Sequence, residues 1–126
     1  MIRVLSLNHV SLLVQDTERA LQFYHGLLGL AIDESRPDLG FPGAFLETGN
    51  AQIHLLEPGP HAAQEAADRH GGRDRHVALE VQDLEAVVQA LDEAGIACTL
   101  SRSGRRALFC RDPDGNALEL LERLAE

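Results

Sequence analysis

One short sequence occurs twice in this chain, and the repeat narrows the choice of fold more than any other feature. The pattern His-Val-x-Leu-x-Val-Gln-Asp occupies residues 9–16 and returns at 76–83, an offset of 67 (76 − 9). Six positions are identical in that window, which makes a chance match improbable. Apolar residues alternate with other residues in both copies, as they do in a strand with one buried face. The chain is therefore predicted to contain two copies of one structural unit.

Each copy of the repeated strand is followed by an amphipathic segment. The segments at 17–29 and 84–95 carry apolar residues at helical spacing. Asp16 and Asp83 stand where an N-cap is expected, and Gly29 and Gly95 stand where a helix should end. Each unit therefore begins as a strand followed by a helix.

A second similarity closes each unit. The sequence "GNAQIHLLE" at 49–57 resembles "GNALELLE" at 115–122, and their shared Leu-Leu-Glu ending places His54 opposite Glu119. Each half then reads as a strand, a helix and two or three further strands, a βαβββ unit of an α+β fold. The first unit covers about 4–57 and the second about 76–123, joined by a linker at 58–75 within one domain, 1–126.

Strand alternation places four side chains with metal-binding groups at matching positions. In each repeated strand the histidine faces away from the continuous aliphatic face, which should pack against the helix. The same alternation separates His54 and Glu119 from their aliphatic neighbours. The four are His9, His54, His76 and Glu119. Three imidazoles and one carboxylate suit a divalent transition metal such as Zn, Ni, Co, Fe or Mn, whereas Ca²⁺ and Mg²⁺ prefer oxygen ligands.

The remaining histidines have no partner in the repeat. His25 falls on the first helix, and His61 and His70 fall in the linker, so all three are predicted to be solvated. The "DPDGN" segment at 112–116 reads as a turn that aims the strand carrying Glu119.

Composition disfavours two classes of partner. The net charge is −9, from 20 acidic residues against 11 Lys plus Arg, which disfavours nucleic acid and anionic membranes. The N-terminal sequence does not resemble a signal peptide, and a cytoplasmic location is expected. The two cysteines, Cys98 and Cys110, lack metal-binding spacing and are predicted to be reduced, partly buried thiols.

The segments "NHVSLLVQD", "RHVALEVQD" and "FCRDPDGNALELLE", with the paired βαβββ layout, resemble the vicinal oxygen chelate superfamily. That superfamily contains glyoxalase I, methylmalonyl-CoA epimerase, fosfomycin resistance enzymes, bleomycin-binding proteins and extradiol dioxygenases. The resemblance covers about residues 4–123 and implies a curved mixed sheet with the helices outside. It also implies a homodimer in which His9 and His54 of one chain meet His76 and Glu119 of the other.

By this resemblance, His9, His76 and Glu119 match the ligand positions that nearly all metal-using members share. His54 departs from the pattern, because glyoxalase I typically has Glu there and epimerases typically have Gln. Glu119 is then the leading candidate for the catalytic base, and His54 is either a fourth ligand or a second acid/base.

The leading functional hypothesis is a metal-dependent lyase or isomerase of the glyoxalase I type. Its small substrate would chelate the metal through adjacent oxygens, as the adduct of methylglyoxal and glutathione does, with glutathione as co-substrate. Fosfomycin-type ring opening and extradiol ring cleavage are the enzymatic alternatives. The non-enzymatic alternative is a metal-free drug-binding module of the bleomycin-resistance type, which the scarcity of aromatic residues disfavours (no Trp, one Tyr, four Phe).

Candidate substrate contacts come from a hydroxyl and from arginines near loops. Ser11 lies two residues after His9, where fosfomycin enzymes often have a hydroxyl residue. A guanidinium suits a substrate carboxylate, although solubilising surface charge is the alternative role for each arginine. The arginines are Arg36, Arg102, Arg105 and Arg106. The segment 35–45, with two prolines and two phenylalanines, is a candidate loop at the pocket mouth.

Overall fold

The computed structural model of the chain describes residues 1, 3–57, 59 and 70–123. It divides the chain into two compact units, Met1–His61 and Ala62–Glu126. The division falls inside the segment that the sequence predicts as the linker. Much of that linker, including His61, lies outside the described residues.

The first unit is a four-stranded mixed sheet with one helical segment. Its elements are β1 (His9–Leu13), α1 (Thr17–Leu21), a π-helix (Gln22–Leu27), β2 (Ala31–Ile32), β3 (Gly43–Glu47) and β4 (Gln52–Leu56). The strands lie in the order β1-β4-β3-β2, with β1 and β4 parallel and the other pairs antiparallel. The first strand therefore lies beside the last, as the βαβββ reading requires.

The second unit repeats this topology. Its elements are a 3₁₀ turn (Gly71–Arg73), β5 (His76–Val81), α2 (Leu84–Glu93), β6 (Thr99–Leu100), β7 (Ala107–Arg111) and β8 (Ala117–Glu122). The strand order is β5-β8-β7-β6, and β5 runs parallel to β8. Both units thus have three strands after the helix, and the predicted α+β fold of two βαβββ units is confirmed.

The helix boundaries follow the predicted caps. The Asp16 carboxylate accepts a hydrogen bond from the Arg19 amide, and the Asp83 carboxylate accepts one from the Ala86 amide. Gly29 and Gly95 have φ of 79° and 72°, a left-handed conformation suited to glycine at a helix end.

The first helix is not α-helical over its predicted length, which corrects the sequence prediction. The α-helix ends at Leu21 and continues as a π-helix, in which the Leu28 amide donates to the Phe23 carbonyl. Phe23 and Tyr24 are neighbours in sequence, yet both are buried. We attribute the wider π turn to the packing of both rings into the core.

A carboxylate at the end of β4 and another at the end of β8 join each sheet to its helix. Glu57 Oε1 accepts hydrogen bonds from the Thr17 amide (2.6 Å) and the Thr17 hydroxyl (2.9 Å). Glu122 Oε2 accepts one from the Leu84 amide (2.9 Å) at the corresponding helix start. The shared Leu-Leu-Glu ending of the two units therefore has a structural explanation, because its glutamate satisfies free amides at a helix N-terminus.

The core of each unit lies between the sheet and its helix. Helix α1 packs against β3 and β4, and α2 packs against β8. The aliphatic residues beside the predicted ligands are almost completely buried, namely Ile53, Leu55, Leu118 and Leu120. Cys98 and Cys110 are free thiols, and burial raises the pKa of Cys110 to about 12. Among the described residues, no helix combines the length and apolar character needed to cross a membrane.

Candidate metal centre

The first unit brings His9 and His54 together. His9 begins β1, and His54 occupies the middle of the adjacent parallel strand, where it pairs with Ser11. The two imidazole rings are stacked, with centroids 3.9 Å apart and planes 15° apart. The alternation predicts that both histidines lie on one face of the sheet, and their stacked rings agree with this prediction.

A phenylalanine covers the other face of His54. It ends the 35–45 segment that the sequence predicts as a loop at the pocket mouth, but residues 43–45 belong to strand β3. Phe45 of β3 pairs with His54 in the antiparallel register, and its ring lies 3.5 Å from the imidazole, almost parallel to it. His54 is thus held between two rings. Arg36 lies beside Phe45, with its guanidinium carbon 5.8 Å from the ring centroid, and donates a hydrogen bond to the Phe41 carbonyl. This places Arg36 near the imidazole pair.

The surroundings of His54 favour its neutral form. Burial lowers its pKa, and the nearby His9 and Arg36 lower it further, while Asp33 acts in the opposite direction. Its Nε2 atom lies 2.8 Å from Gln52 Oε1. A neutral imidazole has a lone pair on one nitrogen, as a metal ligand requires.

The second unit brings His76 and Glu119 together in the same way. His76 Nε2 lies 3.4 Å from Glu119 Oε1. His76 Nδ1 is 2.9 Å from the Asp74 carbonyl, to which it must donate, so Nε2 is the nitrogen that faces Glu119. Glu119 is only 3% exposed, and its second oxygen, Oε2, accepts a hydrogen bond from Arg105 Nη2 at 3.0 Å. A buried carboxylate requires such partners, because its charge is costly to desolvate.

Phe109 is the counterpart of Phe45 in the second unit. It pairs with Glu119 in the register of β7 and β8, and its ring meets the His76 ring edge-on at 5.2 Å. An aromatic residue in the third strand of each βαβββ unit, opposite a predicted ligand, is the signal that could have identified both residues. Each unit therefore places a phenylalanine ring beside its two predicted metal ligands.

The prediction that His70 is solvated is wrong. Its ring packs edge-on against Phe109 with centroids 4.6 Å apart, and its Nδ1 atom makes a short contact with the Thr99 hydroxyl. Gly71 lies so close to the sheet that a Cβ there would come within 3.0 Å of the Ala117 Cβ. This end of the linker therefore covers part of the Glu119 face. His25 is exposed as expected, and its Nδ1 is 2.7 Å from the Leu30 carbonyl.

The "DPDGN" segment forms the predicted turn before β8. Asp112 Oδ1 accepts hydrogen bonds from the amides of Asp114 and Asn116, and Gly115 adopts φ of 86°. Asp112 is itself buried. The buried Asp112 side chain thus holds the turn together, and the turn fixes where the strand that carries Glu119 begins.

The candidate substrate residues have different surroundings. Ser11 is exposed beside His54, and Arg105 contacts Glu119.

Arg106 instead forms ion pairs with Glu85 (2.6 Å) and Glu122 (2.5 Å), near the start of α2. Both glutamates, with Asp83, form an acidic group close enough to share an ion, but Arg106 already pairs with the two glutamates. Of the four candidate arginines, Arg105 thus contacts the predicted ligand Glu119, and Arg36 lies near His54. Arg102 is exposed.

We expect Arg105→Ala to tighten divalent-metal binding about three- to tenfold, because a cation that competes for Glu119 is removed. The same change should lower the free energy of unfolding of the metal-free protein by about 1 kcal/mol, because the buried carboxylate loses its counter-ion. The loss is small because the Arg105 side chain is exposed to solvent, which weakens the ion pair. Isothermal titration calorimetry and chemical denaturation measure the two effects.

Arg102→Ala, a change in the same loop, is the matched control and should leave both quantities unchanged. Weaker metal binding in the Arg105 variant would contradict this prediction, because it would show that Arg105 supports the carboxylate rather than competing for it.

Comparison with known proteins assigns the chain to a family. The sequence profile of the Glyoxalase/Bleomycin resistance protein/Dioxygenase superfamily matches residues 6–120. The chain therefore belongs to this superfamily, as the resemblance of its repeated segments indicated.

Curated relatives carry several different enzyme names. The chain is 33% identical over 122 residues to "Glyoxylase I 4" of Arabidopsis thaliana, covering 91% of this chain and 69% of the relative. It is 30% identical over 129 residues to the mitochondrial methylmalonyl-CoA epimerase of Homo sapiens, covering 93% and 73%. It is 32% identical over 120 residues to glutathione transferase FosA of Serratia marcescens, covering 91% and 79%.

Among solved structures, a glyoxalase family protein from Bacillus anthracis superimposes with a TM-score of 0.77 at 22% identity, covering 98% of this chain and 99% of the other. This likeness supports the fold alone.

Proposed function

We propose that the protein is a metal-dependent lyase or isomerase of the glyoxalase type. The observation that carries the proposal is the contact of His76 with the buried Glu119, in a strand position that His54 occupies in the first unit. A carboxylate kept almost free of water is expensive to maintain for structure alone. The names of the relatives are consistent with an enzyme, but they differ in reaction.

The donor set fits a divalent transition metal. His76 presents Nε2 beside a carboxylate oxygen, and His54 is held neutral within the first unit. Under the proposal, His9, His54, His76 and Glu119 hold one ion, and Zn, Ni, Co, Fe and Mn are the ions to test. When bound, the metal would stabilise negative charge developing on substrate oxygens.

Glu119 is the residue best suited to move the proton. In the proposed isomerisation of a hemithioacetal, a base removes a proton from the carbon that bears the hydroxyl and sulfur, and returns it to the neighbouring carbon. Glu119 is the carboxylate of the proposed ligand set, and its Oε2 becomes available when Arg105 moves away. The Arg105 side chain is 58% exposed, so this movement requires little repacking. Once released, its guanidinium could pair with a substrate carboxylate, such as one of glutathione.

We also propose that the protein is a homodimer in which each site takes His9 and His54 from one chain and His76 and Glu119 from the other. The paired ligands of each unit are local, because each pair lies on two adjacent strands. A complete four-ligand set needs one copy of each unit, and the proposal assigns these copies to different chains.

Fosfomycin-type ring opening with glutathione is the second candidate. Ser11 pairs with His54 in the parallel register of β1 and β4 and is exposed, so its hydroxyl is available beside a proposed ligand. The similarity to glutathione transferase FosA supports testing this reaction beside the first.

The proposal is tested by metal analysis of the purified protein followed by an activity screen. We expect about one ion per chain, and turnover of the methylglyoxal–glutathione adduct by protein loaded with Ni²⁺, Zn²⁺ or Co²⁺. Fosfomycin with glutathione and methylmalonyl-CoA are the comparison substrates. Protein that binds no ion would contradict the metal proposal. Metal-loaded protein that turns over a comparison substrate and not the adduct would replace the glyoxalase assignment.

A further inference from the structure

We propose that Gln52 is a positioning residue that holds His54 with its proton on Nε2, so that Nδ1 is the nitrogen available to a metal or a proton. The tautomer follows from contacts within the first unit. Its consequence for metal binding rests on the proposed function.

The Gln52 side chain joins His54 to two carboxylates. Its Nε2 atom donates to Asp33 Oδ2 at 2.9 Å and to Glu47 Oε1 at 2.6 Å. Its Oε1 atom lies 2.8 Å from His54 Nε2. Every polar atom of the amide is therefore paired.

These contacts allow one orientation of the amide. If oxygen and nitrogen were exchanged, the amide oxygen would face two carboxylate oxygens, and both contacts would become repulsive. With the nitrogen towards the carboxylates, the oxygen faces His54 and can only accept. His54 Nε2 must then carry the hydrogen, and a neutral imidazole protonated on Nε2 has its lone pair on Nδ1.

Asp33 is itself fixed in place. Its Oδ1 atom accepts hydrogen bonds from the Ser35 amide (2.9 Å) and the Ser35 hydroxyl (2.6 Å). Chiefly because of these bonds, and also because of the bond from Gln52, the pKa of Asp33 is lowered to about 2. The carboxylate therefore remains ionised and acts as a constant acceptor for the amide.

The His54 ring cannot easily flip about the Cβ–Cγ bond, a movement that would put Cε1 in place of Nε2 opposite Gln52. Phe45 and His9 cover its two faces at 3.5 Å and 3.9 Å between ring centroids. A flip would also break the hydrogen bond to Gln52. His76 has the opposite arrangement, because its Nδ1 donates to a backbone carbonyl and its Nε2 faces Glu119. The two units thus differ in the nitrogen they present as well as in the ligand at the position shared by His54 and Glu119.

The test is a long-range ¹H–¹⁵N correlation spectrum of the metal-free protein, which distinguishes protonated from unprotonated ring nitrogens. In the wild type, we expect His54 to show a protonated Nε2 and an unprotonated Nδ1. Gln52→Leu, which removes the acceptor facing His54 Nε2, should produce a mixture of tautomers. Gln22→Leu, at an exposed position of the same unit, is the control.

Calorimetry then measures the consequence for the metal. Gln52→Leu should weaken Zn²⁺ binding about tenfold relative to wild type and to Gln22→Leu, the lower end of the range for partners that orient a ligand. A wild-type His54 protonated on Nδ1, or an unchanged tautomer in Gln52→Leu, would overturn the inference. If the wild type binds no metal, the proposed function fails, while the spectrum of the metal-free protein still decides the role of Gln52.

Discussion

Glu119→Gln is expected to weaken divalent-metal binding by about 100-fold or more and to reduce turnover below detection, because the amide is a poor ligand and a poor base. Glutamine has the size of glutamate and keeps one of its oxygens. The packing around this residue, which is only 3% exposed, is therefore preserved. Calorimetry with Zn²⁺ and the activity screen measure the two losses.

Glu93→Gln, at the end of α2, is the matched control and should bind metal as the wild type does. Denaturation of both variants shows whether any loss of binding comes from unfolding. A folded Glu119→Gln protein with wild-type metal affinity would remove Glu119 from the ligand set and would contradict its role as base.

The second large effect is expected when two inactive variants are combined. His9→Ala and His76→Ala should each lack a functional site. If every site joins the first unit of one chain to the second unit of another, a mixed dimer has one site with both defects and one intact site. Random reassociation makes half of the dimers mixed, so about a quarter of the wild-type sites should return. Co-purification of differently tagged chains, with metal content and turnover, gives the measurement.

A mixture of His9→Ala with His54→Ala is the control, since both changes lie in the first unit and no intact site can form. If each site is instead completed within one chain, the His9→Ala and His76→Ala mixture will show no recovery. That result would reject the shared site but leave the ligand set intact.

The repeat predicted the fold well because strand and helix patterns are local. The alternation of apolar residues predicted that His9 shares a sheet face with His54, and His76 with Glu119. Asp16 and Asp83 marked the helix starts. These features depend on neighbours a few residues apart.

The remaining features depend on contacts that periodicity does not encode. Phe45 reaches His54 through the register of two strands, and Gln52 is linked to Asp33 across 19 residues. His70 lies in a segment rich in glycine and charge, where no pattern indicated that its ring packs on Phe109. The combined burial of Phe23 and Tyr24, which accompanies the π-helix, likewise depends on the shape of the core.

In each unit, one residue at the end of the last strand joins the sheet to its helix, and a different residue lies at the predicted metal site. Glu57 and Glu122 each lie three residues after the position where the units differ, His54 in one and Glu119 in the other. Because these glutamates anchor the strand end to a helix amide, a slip of one residue would break that bond and turn every side chain to the opposite face. The variable position can therefore change from imidazole to carboxylate without disturbing the alignment of its strand. A scaffold built this way can acquire new chemistry by a single substitution while its framework stays the same.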